Sequence, residues 1–417
     1  MKIKRKRNEF RAAALKLIQN PQLLFRAGQK FEEMGVIGEP RNRLIIFLAC
    51  LTKTLHVPVS VMMKGSTSSG KSNLVRTVIA LFSPDCVIKR SSLSKKAPAH
   101  GSGDLAGKIL YLAEYQAGKD AMLLLRLQQS EGELDHEFTT VIGHERGTTV
   151  AHRSGSPVVL TTTTEDAVYA DDETRFLSLR ADESAELTRE VVRRKFRPAV
   201  QNNPEPPLEV WRDATRILGG STNTFSYPEW FQFVADQIPA DDTRARRDAE
   251  RFIGLLEAVA LCRAYSENRG TCSKQITINL ADYAVAYEIT HEAFASTYRG
   301  AHTNALRVAE AVHRMHIQLK RPITVLEVAD DLVWERPVAY KWVKRALEHR
   351  LITQEKSPQP KNLKLFLPGI STETRFLPNP KDVLRERTEL ADFVRYIDPF
   401  TGRMKVLRRN ADEDDDF

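Results

Sequence analysis

Residues 65–72 read Gly-Ser-Thr-Ser-Ser-Gly-Lys-Ser, a complete G-x-x-x-x-G-K-S phosphate loop. No other stretch restricts the chain so tightly, because the motif works only between a strand and a helix. Gly65 and Gly70 let the backbone curl so that successive N–H groups converge on a phosphate. Lys71 brings a point charge to the outer phosphates, and the Ser72 hydroxyl can ligate Mg²⁺. The flanks agree: Val57, Val59, Val61 and Met63 alternate as a strand should, and Leu74, Val75, Val78, Ile79 and Phe82 recur at helical spacing. The N-terminus of that helix adds partial positive charge to the anion site. Gly65, Ser66, Thr67, Ser68, Ser69, Gly70, Lys71, Ser72 and Asn73 form the expected binding set for ATP with Mg²⁺.

Hydrolysis needs more than a phosphate cradle. The run Lys108-Ile-Leu-Tyr-Leu-Ala-Glu114 is an apolar strand ending in an acid, the pattern of a metal-organising Walker B segment. Many such enzymes carry two acids here; this chain has Ala113 and then Glu114, so Glu114 serves both functions or another group assists. Ser72 and Glu114 are the metal candidates. A second strand, Pro157-Val-Val-Leu-Thr-Thr-Thr-Thr164, ends in hydroxyls, and Thr164 or Thr163 is placed to orient an attacking water. In Asp171-Asp-Glu-Thr-Arg-Phe-Leu-Ser-Leu179, Arg175 stands between acids and an apolar strand. It reads as an arginine finger for a neighbouring subunit's γ-phosphate or as a surface ion pair with Asp171 or Glu173.

The chain of 417 residues is long enough for two or three domains. The expected fold class is α/β: a helical segment (1–56), a P-loop core (57–200), a helical lid (201–300), a winged helix (301–368) and a flexible tail with an acidic end (369–417). The longest apolar run, Leu44–Leu51, is too short to cross a membrane. Four scattered cysteines with no C-x-x-C pair argue against a zinc site or disulfide framework and fit a cytoplasmic protein. The net charge of +8 suits nucleic acid without requiring it.

The run Leu124-Leu-Arg-Leu-Gln-Gln-Ser-Glu-Gly-Glu-Leu134, the hairpin and threonine cluster after it, and Glu173-Thr-Arg175-Phe together resemble the AAA+ ATPases linked to bacterial and phage DNA primases. These are cousins of the minichromosome maintenance helicases. Arg247-Asp-Ala-Glu250 followed by Leu256-Glu-Ala258 is similar to their sensor 2 helix, which makes Arg247 the sensor 2 candidate, with Arg244 and Arg246 as rivals. The resemblance spans about residues 20–300. It implies catalytic roles for Lys71, Glu114, Thr164, Arg175 and Arg247, a homo-oligomeric, hexameric ring, and DNA, single-stranded or forked, as partner. Ala113 in Walker B and threonine in place of the usual asparagine depart from the family pattern.

Two segments are candidates for DNA contact. The β-branched runs Thr139–Ile142 and Thr148–Ala151 flank a turn at 143–147; in related helicases such a hairpin lines the pore, with His144, Arg146, His152 and Arg153 as the contacts here. In the winged helix, Lys341, Lys344 and Arg345 share a side opposite Ala339, Trp342, Val343 and Leu347. Either set could equally be a solvated face. The acidic Asp412–Phe417 end resembles the tip of single-stranded-DNA-binding proteins and could dock a separate primase or such a protein, or simply solubilise the chain. A DNA helicase or translocase of replication is the leading reading. The alternatives are a loader or remodelling switch on DNA, and a nucleotide-sensing DNA-binding regulator with weak hydrolysis.

Overall fold

Three helices precede the phosphate loop: α1 (Lys2–Ile18), α2 (Leu23–Glu33) and α3 (Pro40–Leu51). Pro40 opens α3, where its missing N–H costs nothing. Leu44 through Leu51 are all buried, so α3 is a core helix apolar on every side. Residues 34–39, with Gly35 and Gly38, separate α2 from α3. The structure, a computed structural model, describes residues 2–101, 103–142, 145–165, 168–196, 205–220, 223–240, 243–267, 269, 275–298, 303–348, 351–355, 365–368 and 376–410. The chain divides into two units: Met1–Asp236, Arg246–Thr290 and Asn379–Phe417 form the first, and Gln237–Ala245 with His291–Pro378 the second. The opening helices therefore belong to the same unit as the sheet rather than to a segment of their own.

The elements that follow alternate in the first unit. They are β1 (Val61–Lys64), α4 (Lys71–Ile79), β2 (Val87–Arg90), α5 (Ala97–His100), β3 (Ile109–Leu112), α6 (Met122–Glu131), β4 (Glu133–Ile142), β5 (Glu145–Ser154), β6 (Val158–Thr163), α7 (Ala170–Glu173), β7 (Leu177–Arg180) and α8 (Ala185–Phe196). Five of the strands form one parallel sheet in the order β2-β3-β6-β1-β7. This is an α/β P-loop fold. The strand expected from Val57 begins only at Val61, and all four of its residues are buried instead of alternating. A parallel sheet covered on both faces gives continuous apolar strands, and each fully buried large side chain contributes about 1.5–3 kcal/mol. The strands β4 and β5 pair from Glu133↔Ser154 to Ile142↔Glu145. The hairpin is thus longer than its β-branched runs suggest, and residues 145–147, expected in the turn, belong to β5.

After the sheet come α9 (Leu208–Gly219), β8 (Thr224–Ser226), α10 (Phe231–Asp236), α11 (Arg244–Ser266), β9 (Gln275–Thr277) and α12 (Leu280–Tyr298). Helix α9 buries Trp211 and Leu218 and ties to the end of α4: the Thr215 hydroxyl donates to the Leu81 carbonyl at 2.9 Å, and Arg212 Nε to the Ala80 carbonyl at 3.1 Å. It is therefore part of the P-loop body, although the sequence reading put it in the lid. Phe252, Leu255, Leu256, Val259 and Cys262 of α11 are buried, and so are Ala258, Ala260 and Leu261, so the helix is buried on more than one side.

The second unit contains α13 (Thr303–Leu319), β10 (Ile323–Thr324), α14 (Val325–Asp331), α15 (Arg336–Glu348), β11 (Ile352–Glu355) and β12 (Leu365–Pro368). Its sheet is antiparallel, in the order β10-β12-β11. Val308, Val312, Ile323, Val328, Trp342 and Phe366 lie in its own core. A capping box starts α14: Thr324 Oγ1 accepts from Glu327 N, and the Glu327 carboxylate accepts from Thr324 N.

Residues 376–410 correct the expectation of a flexible tail. They form α16 (Pro380–Glu386), capped by Asn379, and an antiparallel pair, β13 (Phe393–Ile397) and β14 (Met404–Arg408). Val383, Leu384, Tyr396 and Leu407 are buried, and two of the basic residues are tied down. Arg409 donates to the carbonyls of Leu384, Arg387 and Leu390, and Lys405 pairs with Glu288 and Asp398 at 3.1 Å each. The acidic end, Asp412–Phe417, lies outside the described residues.

Candidate nucleotide-binding site

The parallel strands bring their C-terminal ends to one edge. Register aligns Lys64 of β1 with Thr163 of β6 and Arg180 of β7, and Leu112 of β3 with Thr161. From β1 the chain crosses to one side of the sheet, and β7 lies on the other. Ligands of open α/β sheets bind at such a reversal, beyond the carboxyl ends of the strands. The phosphate loop stands there. Gly70, at φ +87°, turns the loop into α4, a conformation that a side chain at this position would strain. Ser66, Thr67 and Ser68 are exposed, whereas Lys71, at the first position of α4, is buried.

Lys71 Nζ donates to the carbonyls of Gly65 and Ser66, at 2.8 and 2.5 Å, and approaches Ser69 Oγ at 3.2 Å. The ammonium is thereby held over the mouth of the loop. Burial lowers its pKa, opposed by the carboxylates of Glu183 and then Glu114. Glu114 lies two residues past the end of β3 and is exposed, and its carboxylate is in electrostatic reach of Lys71, as a metal-organising acid must be. Ser72 opens toward β3, where its hydroxyl bonds Tyr111. The curled loop, the buried lysine, the Ser72 hydroxyl and Glu114 make a donor set that fits a nucleoside triphosphate with Mg²⁺. Asn73 is exposed on the first turn of α4.

Strand β6 lies between β1 and β3, and its threonines join the two. The Thr162 hydroxyl donates to the Ala113 carbonyl at 2.7 Å, Tyr115 N donates to the Thr162 carbonyl at 2.8 Å, and Gly65 N to the Thr163 carbonyl at 3.2 Å. Thr163 is buried, with its hydroxyl accepting from Glu165 N at 3.1 Å, while Thr164 is exposed just past the strand end. Of the two candidates for orienting water, Thr164 is the one at the surface of the site.

The remaining candidates separate into groups. Arg175 and Arg247 are brought together: like charge from Arg247 and Arg126, after burial, lowers the Arg175 pKa. Arg247 donates to Thr174 Oγ1 at 2.9 Å. Glu173 pairs with Lys64 and Asp171 with Arg126, while the Asp171 charge also acts on Arg175, opposing the fall in its pKa. His144 and the Arg146 side chain lie outside the described residues. Arg153 is a clamp at the hairpin root: Nη1 donates to the Pro98 carbonyl at 2.8 Å and Nε to the Gly103 carbonyl at 3.0 Å. His152 pairs with Asp135 at 2.7 Å, which raises the imidazole pKa. On α15, Lys341 and Lys344 are exposed, Lys341 lies 4.9 Å from the Trp342 ring centre, and Arg345 is half-buried.

Sequence reasoning missed Glu183, whose carboxylate accepts from Ser66 N, and offered Glu173 only as a partner for Arg175. Glu183 lies in no motif; it follows β7, whose parallel register with β1 brings it to the loop. No curated protein matches the chain. Residues 10–217 match the family described as the MTBMA_p00010 P-loop domain. The match takes in part of α1, all of α2 and α3, the sheet and most of α9, so this body is a nucleotide-binding P-loop domain of the NTPase kind.

Proposed function

We propose that the protein is an ATP-driven motor acting on DNA, an AAA+ helicase or translocase of replication that works as a ring, by analogy a hexamer. The observation that carries this reading is that Arg247 bonds Thr174, the residue directly before Arg175, on elements separate from the helix of the chain's own Lys71. Two arginines carried by neighbouring residues in this way suit the γ-phosphate of the next subunit. Lys71 would hold the outer phosphates, Ser72 and Glu114 the Mg²⁺, and Thr164 would orient the water that Glu114 activates. Bound nucleotide supplies the phosphoanhydride to be cleaved, and the protein's contribution is position and charge.

Further support comes from the ten-residue strands of the β4–β5 hairpin, set between Glu114 and the threonine strand. In the second unit, the order α13-β10-α14-α15-β11-β12, with Lys341 and Lys344 outward on α15, fits a winged helix that contacts DNA phosphates. Helices α11 and α12 fit the lid. One observation favours a second reading. Ala113 occupies the place of a first acid and offers only its carbonyl, bonded by Thr162, so a slow nucleotide switch that loads or remodels a DNA complex is the alternative.

ATP turnover measured with and without single-stranded DNA tests the proposal, together with displacement of a forked strand. Strong stimulation with displacement is expected. Stimulation without displacement supports the switch, and ATP binding without turnover refutes the motor. Mixing Arg175→Ala with Lys71→Ala subunits should restore part of the activity that each lacks alone. Normal hydrolysis by Arg175→Ala would remove the arginine finger.

A further inference from the structure

We propose that Asp172 and Glu173 are positioning residues that tie the placement of Arg175 to the chain's own phosphate loop and to Glu114. This rests on the reading of Arg175 as serving a neighbouring subunit's site.

Two buried polar side chains sit one residue from the two parts of the site that would feel a nucleotide. Lys64 ends β1, directly before Gly65, and is 1% exposed. Its Nζ pairs with Glu173 Oε1 at 2.5 Å. Tyr115 follows Glu114 directly, is fully buried, and donates its hydroxyl to Asp172 Oδ2 at 2.5 Å. The other oxygen of Asp172, itself 3% exposed, lies 3.0 Å from Arg126 Nε. Burial and this bond together raise the Tyr115 pKa, so the phenol stays a donor.

Both acids belong to α7, and two residues later comes Arg175. Its N–H donates to the Asp172 carbonyl at 2.9 Å. Between them, Thr174 is gripped from α11: Arg247 reaches its hydroxyl at 2.9 Å, and Arg251 its carbonyl. The segment 172–175 is thus held by the loop strand through Lys64, by the segment after Glu114 through Tyr115, and by α11 through two arginines. A methionine could fill the end of β1 without the desolvation that a buried lysine costs. In a low-dielectric interior, leaving any of these groups unpaired is costly, so a displacement of Gly65 or Glu114 is passed to the 172–175 backbone. A subunit's own site then governs where it presents Arg175.

Glu173→Gln and Tyr115→Phe, each in the full-length protein, test this. Affinity for a fluorescent ATP analogue should stay within about twofold, while turnover falls roughly tenfold or more, the scale on which misplacement acts. Mixing Glu173→Gln with Lys71→Ala subunits should restore turnover, because the second supplies a well-placed Arg175 to the first. Mixing Glu173→Gln with Arg175→Ala should restore none. Recovery in that second mixture, a tenfold loss of nucleotide affinity in both variants, or unchanged turnover in both would each overturn the proposal. If Lys71→Ala and Arg175→Ala fail to complement one another, the neighbour reading itself falls, a result separable from the others.

Discussion

The two feet of the β4–β5 hairpin make a matched experiment. Gly132 caps α6 at φ +77° and Gly155 leaves β5 at φ +87°, so an alanine at either position pays for a left-handed backbone, about 1–2 kcal/mol. Their surroundings differ. A Cβ on Gly132 meets nothing within 4 Å, whereas a Cβ on Gly155 would lie 2.1 Å from Ala106 N and 2.5 Å from its Cα. That is backbone, held nearby by the bond from Leu105 N to the Ser154 carbonyl at 2.9 Å, and it cannot swing aside as a side chain would. Overpacking of this kind adds roughly 2–3 kcal/mol. With an unfolding entropy of about 2.1 cal/mol/K per residue, a chain this long shifts by roughly 1 °C per kcal/mol, so Gly155→Ala should melt roughly 2–3 °C below Gly132→Ala. Thermal unfolding followed by circular dichroism reads the difference. Coincident midpoints would refute the argument and show that the hairpin root is loosely packed.

Other outcomes follow from the site and the second unit. Glu114→Gln should bind ATP as the parent does but lose turnover by roughly 10²-fold or more, read in a phosphate-release assay; retained turnover would remove Glu114 from its metal-organising role. The Glu327 carboxyl, bonded by Arg321 and by Thr324, is held down from 4.5 to about 2. Its folded pKa lies below the unfolded one, so its stabilisation is present above about pH 4.5 and is lost as pH falls toward 2. Hydrogen exchange of the α14 amides should quicken over that window in the parent and much less in Glu327→Gln. Equal acid sensitivity in the two proteins would rule out the capping box as its source.

What could be read from the sequence was whatever the chain repeats over short distances. The loop at 65–72, the apolar run ending at Glu114, the threonine strand and the hairpin each sit in consecutive residues whose spacing reports their geometry. Arg153 shows where such reading stops. It reads as a phosphate contact because it stands on a basic hairpin, and no local spacing reports its bonds to Pro98 and Gly103, some fifty residues away. The same holds for Lys64 with Glu173 and Tyr115 with Asp172, which meet only because β1, β6, β7 and β3 share one sheet. Residues 376–410 misled by composition: prolines and charges suggested disorder, yet Pro380 starts a helix and Arg409 closes the C-terminal fold onto three carbonyls.

Strand β6 has one more effect. Neighbouring strands stand about 4.8 Å apart, so placing one between β1 and β3 holds the loop and the acidic edge roughly 10 Å from each other. A gap that wide can admit a terminal phosphate, a hydrated cation and a nucleophile side by side, with hydroxyls as its floor. Moved next to the loop strand, the same carboxylate would crowd any anion seated in the loop.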